Sequence, residues 1–317
     1  MIELEFGAAD LAGLRFAHSP MAEVVASAFA LRGDGWPYGS WRAGVTPMLH
    51  RWPVLRAVLL GPHGYAPDFL TPVPRSPRPT LDEELAVVAA TPPETVVAQV
   101  TAGWPGSAPP VIVDFERDPR TSVGLLCSEI RAYFAAAVAP LWPRLRSSAE
   151  AEIAARARAA TERGARMLVD NLHPRLGWDG SVLHIRYPHK HGRWGLAGRG
   201  LTLLPTGFAG DEIYALRESP RGDALWYAPR GHGNLWSPAP EPSATLSGLL
   251  GPTRAAVLTL LAVPHSTGQV AERLGLAAGT ASHHLTTLRD ARLAAAVRDG
   301  RRLLYQRTAL GDELARG

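Results

Sequence analysis

One cysteine, Cys127, and one lysine, Lys190, stand in a chain of 317 residues. A lone thiol excludes an internal disulfide framework and a zinc site built from several cysteines, and a cytoplasmic setting is the simplest expectation. Uncharged apolar runs of about eighteen residues are missing too, so neither a membrane span nor a membrane partner is expected. The opening Met1-Ile2-Glu3-Leu4-Glu5-Phe6 alternates acidic and apolar side chains, which reads as a strand and not as a leader peptide. There is no repeat of fixed period, no Gly-x-Ser-x-Gly elbow, no Walker loop and no His-Glu-x-x-His pair. Gly195-Leu196-Ala197-Gly198-Arg199-Gly200 has glycines without the spacing or the strand-to-helix setting of a nucleotide loop. The expectation is therefore a protein that is not an enzyme and needs no cofactor.

What the chain does have is a hydrophobic fraction of 46%, enough for about two cores at this length. Prolines 238, 240 and 242 cannot all sit inside a helix or central strand. They mark a linker at 237–247 between an N-terminal domain, 1–236, and a C-terminal domain, 248–317. The N-terminal part has helical patterns near 20–32, 47–60, 80–90, 93–102 and 119–139. One long helix is expected from Pro140 to about Asn171, with Ile153, Ala157, Ala160, Gly164 and Met167-Leu168 along one side. Residues 181–187, 192–197, 200–205 and 224–228 alternate between glycine-rich turns, which suggests a small antiparallel sheet.

All nine tryptophans fall at or before residue 236. Most such rings are ordinary core, but the stretch from Gly35 to Trp41 mixes aromatics with turn residues as a loop over a cavity would. Trp36, Tyr38 and Trp41 are the candidate ligand contacts, and an apolar small molecule is the effector such a loop would take. His184, His189 and His191 invite a metal reading, but Lys190 and Arg193 crowd the run with positive charge and Pro188 breaks the strand; no metal is expected. Asp114, Glu116 and Asp118 follow a strand-like Val111-Ile112-Val113 and are explained as well by a helix start before Pro119 as by a cation. Cys127 lies in an apolar helical pattern, where an inert buried thiol is expected.

The most informative stretch runs from Gly275 to Leu288. Ala281, Leu285 and Leu288 share one helical face, while Ser282, His283 and Thr286 point the other way. Such a helix, apolar toward its own domain and hydrogen-bonding outward, suits a DNA major groove. His284 lies nearer the apolar side and is expected to tie the helix to its domain. Before it, Ser266 and Gln269 form a capping-box pattern opening a helix with Val270, Ala271 and Leu274 inward, and Gly275 can take the left-handed backbone at its end. Earlier, Pro252 to Val263 gives a helix with Ala256, Leu260 and Val263 on one stripe. Afterwards Ala294–Arg298 and Arg301–Gln306 flank Asp299-Gly300, a two-residue hairpin signal. From Gly251 onward there are nine arginines against five acids, an excess equal to the whole chain's +4. A basic module on a neutral body is what phosphate attraction requires, although arginine alone proves nothing in a chain with a single lysine.

Residues 249–310 resemble the DNA-binding domain of ArsR-type bacterial transcriptional regulators. The resemblance rests on Leu274-Gly275-Leu276, Gly279-Thr280, Ser282-His283-His284-Leu285, Leu288-Arg289, Leu293, and Gly300-Arg301 with Tyr305. It covers about a fifth of the chain; the large N-terminal part is similar in scale to that of actinobacterial-type members. The resemblance implies a winged helix-turn-helix, a homodimer on double-stranded DNA, and a repressor released by an effector. Two departures matter. Ala277 stands where members often carry a capping serine, and the paired cysteines of metal-sensing members are missing, so metal sensing is not carried over.

The expected fold is α+β and mainly helical: an N-terminal helical domain with a small antiparallel sheet, then a winged helix-turn-helix. The expected function is a regulator, repressing by default, that binds a pseudo-palindromic operator as a dimer through helix 278–290 and wing 294–307. Thr280, Ser282, His283 and Thr286 would touch bases. Thr287 and Arg289 would hold the backbone, and Arg298, Arg301 and Arg302 the phosphates or minor groove. Two other uses of the N-terminal part stay open on the sequence: an enzyme domain tethered to DNA, or a body that only meets protein partners.

Overall fold

A computed structural model describes residues 1–33, 37–187, 191–217, 219, 221–236, 242–299 and 302–316. The fold is α+β and mainly helical, in two compact units, Met1–His232 and Gly233–Gly317.

In the first unit most helices begin where a capping group or proline satisfies or removes the free N–H groups of the first turn. Ser19 accepts from the Ala22 amide at 2.9 Å to open Pro20–Arg32. Thr80 and Glu83 form a reciprocal capping box on Leu81–Ala89. The span near 47–60 is two pieces, a 3-10 turn Thr46–Arg51 and the helix Pro53–Leu59, because the residue before a proline is driven out of helical backbone. Val111-Ile112-Val113 is helical, not strand-like: Pro110 opens Pro110–Arg117, and Ile112 and Phe115, three apart, face inward. Asp118 caps the following helix through the Thr121 amide, so its carboxylate is structural.

From Pro119 to Arg163 the helical run is continuous, passing through a π-helical turn at Phe134–Val138 and a 3-10 turn at Ala139–Leu141, where Pro140 removes a backbone donor. It ends at Gly164, whose φ of +95° no helix accommodates, several residues before the expected end near Asn171. An 18-residue window of this rod has mean hydropathy 1.3, long and apolar enough by composition to cross a membrane, but half of the window is buried inside the unit. Its buried C-terminal face is not the apolar stripe expected. Ala157 is exposed, while Glu152, Arg156 and Ala159 are buried. Arg156 donates to Glu152 Oε1 at 2.6 Å and to the carbonyls of Met167, Asp170 and Asn171, so the chain following the rod folds onto a guanidinium.

The expected antiparallel sheet is two mixed sheets. In one, the N-terminal strand Ile2–Glu5 lies between Val182–Ile185, antiparallel, and Gly192–Gly195, parallel, with Leu176–Trp178 at the edge. In the other, Arg15–Phe16, Leu201–Pro205 and Asp223–Tyr227 run parallel, and Tyr214–Leu216 adds an antiparallel edge. Leu201–Pro205 and Asp223–Tyr227 are buried at every position, as strands covered on both faces are. Alternation and turns locate strands in a sequence; they do not specify which distant strand becomes a neighbour.

The second unit begins with the short helix Gly233–Trp236, so Trp236 is separate from the other tryptophans. Of the expected linker, residues 237–241 lie outside the described residues, and 244–247 are helical. Ser243 accepts from the Leu246 amide at 3.1 Å to open Ala244–Leu250, and Leu246 is buried in the unit's core. Helices Pro252–Leu260, Thr267–Leu274 and Ala278–Asp290 follow, with the hairpin Ala294–Asp299 and Arg302–Arg307 and a last helix Ala309–Arg316. Pro252–Leu260 is central and stops before the expected Val263; of the expected stripe Leu260 is buried while Ala256 and Val263 are half-buried, and Ala255, Val257 and Leu258 make up the rest of the buried side. The last helix approaches so closely that a Cβ on Gly311 would lie 2.1 Å from the Leu293 carbonyl oxygen, so only glycine fits there.

Candidate nucleic-acid interface

Helix Ala278–Asp290 is anchored by Ala281, Leu285 and Leu288, each at most 1% exposed. Ahead of it the Ser266–Gln269 capping box is formed in both directions, at 2.8 and 3.4 Å. Gly275 takes φ +64°, turning the chain between the two helices. Ala277 caps with extended backbone and no side-chain acceptor, so the missing hydroxyl leaves the first-turn N–H groups without a side-chain cap. With the inner face fixed in this way, Thr280, Ser282 and His283 are exposed and Thr286 half-buried on the outer side.

The remaining expected contacts divide. The Thr287 hydroxyl donates to the His283 carbonyl at 3.0 Å, so its donor is already used within the helix. Arg289 is exposed and pairs with Asp290 at 2.9 Å, an ion pair that solvent screens and a phosphate can displace. Arg298 is exposed on the wing. Arg301 lies outside the described residues, as does the side chain of Arg302. Pairing runs from Ala294↔Arg307 to Asp299↔Arg302, so Asp299, expected in the turn, is a strand residue; Gly300 and Arg301 lie outside the described residues. Val297, 60% exposed, and Leu303 are apolar side chains left on the wing surface, which charge-based reading missed.

His284 is half-buried, and its Nδ1 has no hydrogen-bond partner among the described residues, so it meets its domain by packing and not by a polar tie. Burial, with the charges of Arg254 and His283 beside it, holds its imidazole below the ordinary histidine range.

The other sequence candidates sit in the first unit. Tyr38 lines a cleft of about 240 Å³ together with Phe29, Arg42, Phe208, Asp211 and Tyr214. Trp41 does not line it; its indole donates to the Ala137 carbonyl at 2.8 Å and its ring packs 4.6 Å from Phe208. Trp36 lies outside the described residues. No pattern could have joined Tyr38 to Phe208 and Tyr214, which the fold alone brings together. Among the described residues no group of three or more His, Cys, Asp or Glu is placed to hold a metal ion. His184 is hydrogen-bonded to Asp179 at 3.0 Å and His191 to the N-terminal amine at 3.0 Å, while His189 lies outside the described residues. Cys127 is buried and burial pushes its thiol up, away from the reactive thiolate.

A packed helix pair, an outward hydrogen-bonding helix and a hairpin beside it define a helix-turn-helix unit. Residues 249–296 match the family model of a helix-turn-helix domain, which supports a DNA-binding transcriptional regulator. No curated protein and no solved structure matches the chain significantly.

Proposed function

We propose that the protein is a winged helix-turn-helix repressor of ArsR type that binds a pseudo-palindromic operator as a homodimer and is released by a small-molecule effector held in the Met1–His232 unit. In this reading the protein works in the cytoplasm, on DNA and not on membranes, and has no catalytic role. The observation that carries it is the helix Ala278–Asp290, apolar and buried on one side, with Thr280, Ser282 and His283 exposed on the other. Ser, Thr and His side chains in a major groove can donate to or accept from base edges, and two copies would read half-sites about one helical turn apart. Exposed Arg298 on the adjacent wing supplies backbone charge.

Selection of bound sequences from a random DNA pool by the full chain, with and without metabolite extract, tests operator, symmetry and release together. Recovery of no enriched sequence removes the reading. On the selected operator, Arg298→Ala is expected to flatten the log–log salt dependence of binding by about 0.9 for one lost phosphate contact.

A further inference from the structure

The cleft of the first unit is built like a binding site. Helix Pro20–Arg32 contributes Phe29, and the loop after Leu201–Pro205 contributes Phe208 and Asp211. That loop is tied to the same helix by Glu23, fully buried, whose carboxylate accepts from the Gly207 amide at 2.7 Å and the Phe208 amide at 3.1 Å. Gly210 has φ +57°, and a Cβ there would lie 2.9 Å from the Tyr38 hydroxyl, so the approach of loop to ring depends on glycine. The wall is therefore fixed by buried contacts before any ligand arrives.

Two aromatic pairs face this space: Phe29 stacks on Tyr214 at 5.0 Å, and Tyr38 on Phe208 at 5.6 Å. Of the charges at its edge, Arg42 donates through Nε to the Ala30 carbonyl at 3.0 Å, and Glu212 pairs with Arg175 at 2.8 Å. Asp211 is exposed and makes no ion pair or hydrogen bond among the described residues. Ring faces carry negative potential, and an uncommitted carboxylate adds to it. Burial, with the carboxylates of Glu23 and Asp211 nearby, also pushes the Tyr38 phenol well above its ordinary range, so it stays a neutral hydroxyl. A volume of about 240 Å³ lies below the ~300–1,000 Å³ of drug-sized pockets and suits a single-ring body.

We propose that this cleft binds a small arylalkyl amine, its ring between the two aromatic pairs and its protonated nitrogen against Asp211. The proposal rests on the effector reading above and replaces a purely apolar effector with a cationic, amphipathic one. His232, the last residue of the first unit, also lines the cleft.

The test uses the full chain at pH 7 and three probes of one shape, 2-phenylethylamine, 2-phenylethanol and 3-phenylpropionate, titrated calorimetrically. The amine is expected to bind at least about tenfold more tightly than the alcohol. Asp211→Asn removes that advantage, leaving the alcohol's affinity and the melting temperature unchanged. Equal binding of amine and alcohol, binding of none, or a preference for the carboxylate that Arg42→Met abolishes overturns the proposal. Operator affinity is measured in parallel. Asp211-dependent amine binding that leaves operator affinity unchanged supports the site and overturns the effector reading. Release by metabolite extract that persists in Asp211→Asn, with no amine binding by the native chain, overturns the site and leaves that reading standing.

Discussion

The two units solve the burial problem in opposite ways. Among the described residues the core of Gly233–Gly317 is aliphatic apart from Tyr305, and its one buried polar side chain is His265. Met1–His232 buries Glu23, Glu84, Glu129, Glu150, Glu152 and Arg156, among others. These carboxylates are not stranded: Glu84 accepts from the Ser19 hydroxyl and the Met21 amide, and Glu129 from the Leu55 amide. Each fastens one element to another far along the chain. A non-directional apolar core tolerates substitution of similar shape, whereas a buried charge with fixed partners specifies one arrangement and is costly when a partner is lost.

Arg156→Ala is therefore expected to have the largest effect. It leaves Glu152 buried without its nearest cation, and it orphans the carbonyls of Met167, Asp170 and Asn171. Breaking a buried pair costs about 3–5 kcal/mol. Denaturant unfolding followed by tryptophan fluorescence reads this change, since every tryptophan but Trp236 lies in the first unit. A loss below about 1 kcal/mol would mean that the contrast between the cores is not energetic. In the second unit Leu285→Ala, at a fully buried position, is expected to cost about 3 kcal/mol through lost transfer energy and a cavity. Hydrogen exchange on Pro252–Leu260 and Ala278–Asp290 should show it, with the first unit's protection unchanged.

The same contrast explains what could be read from the residues. The second unit is legible because its signals are local: the Ser266–Gln269 box joins residues three positions apart, and Ala281, Leu285 and Leu288 repeat within two turns. The first unit is legible only in part. Helix starts at Ser19 and Thr80 carry capping residues, but apolar periodicity does not mark the buried face of Trp142–Arg163, because that side is charged. Glu23 meets Gly207 across 184 positions and Glu84 meets Met21 across 63, distances at which no periodicity informs. The cleft is built from such contacts, so local pattern points to Tyr38 and not to Phe208, Asp211 or Tyr214.

Glu84 gives the contrast a pH dependence. Burial pushes its carboxyl from an ordinary 4.5 up to about 7, against the hydrogen bonds from Ser19 and Met21. Between those values the native chain holds a proton that the unfolded chain has lost, so this group's contribution to stability falls as pH rises through the window. Burial holds His173 and His232 below the ordinary 6.5 and acts oppositely, removing stability as pH falls through 6.5. The informative quantity is thus the difference between Glu84→Gln and the native chain. Glu84→Gln should gain relative stability as pH is raised from about 4.5 to 7 and level off above it. A flat difference in urea midpoints across that window would show that Glu84 is ionised in the native state.

The smallest effect expected lies in the second unit, where a local signal is missing and not a distant one. Ala277 caps Ala278–Asp290 with φ −64° and ψ 145°, the extended backbone that a capping serine adopts, and its side chain is exposed. In Ala277→Ser the hydroxyl oxygen can accept the Thr280 amide without displacing any neighbour. Such a cap stabilises by about 0.5–1 kcal/mol, or roughly 4 °C in the melting temperature of a unit this size. The gain should appear in the second unit alone, because the cap closes a turn within the helix and touches no buried carboxylate. First-turn N–H groups at a helix N-terminus are also donors for a phosphate. If Ala277 leaves them free for DNA, Ala277→Ser will raise thermal stability and weaken operator binding together. If affinity is unchanged while stability rises, the helix meets DNA through its exposed side chains and not through its N-terminus.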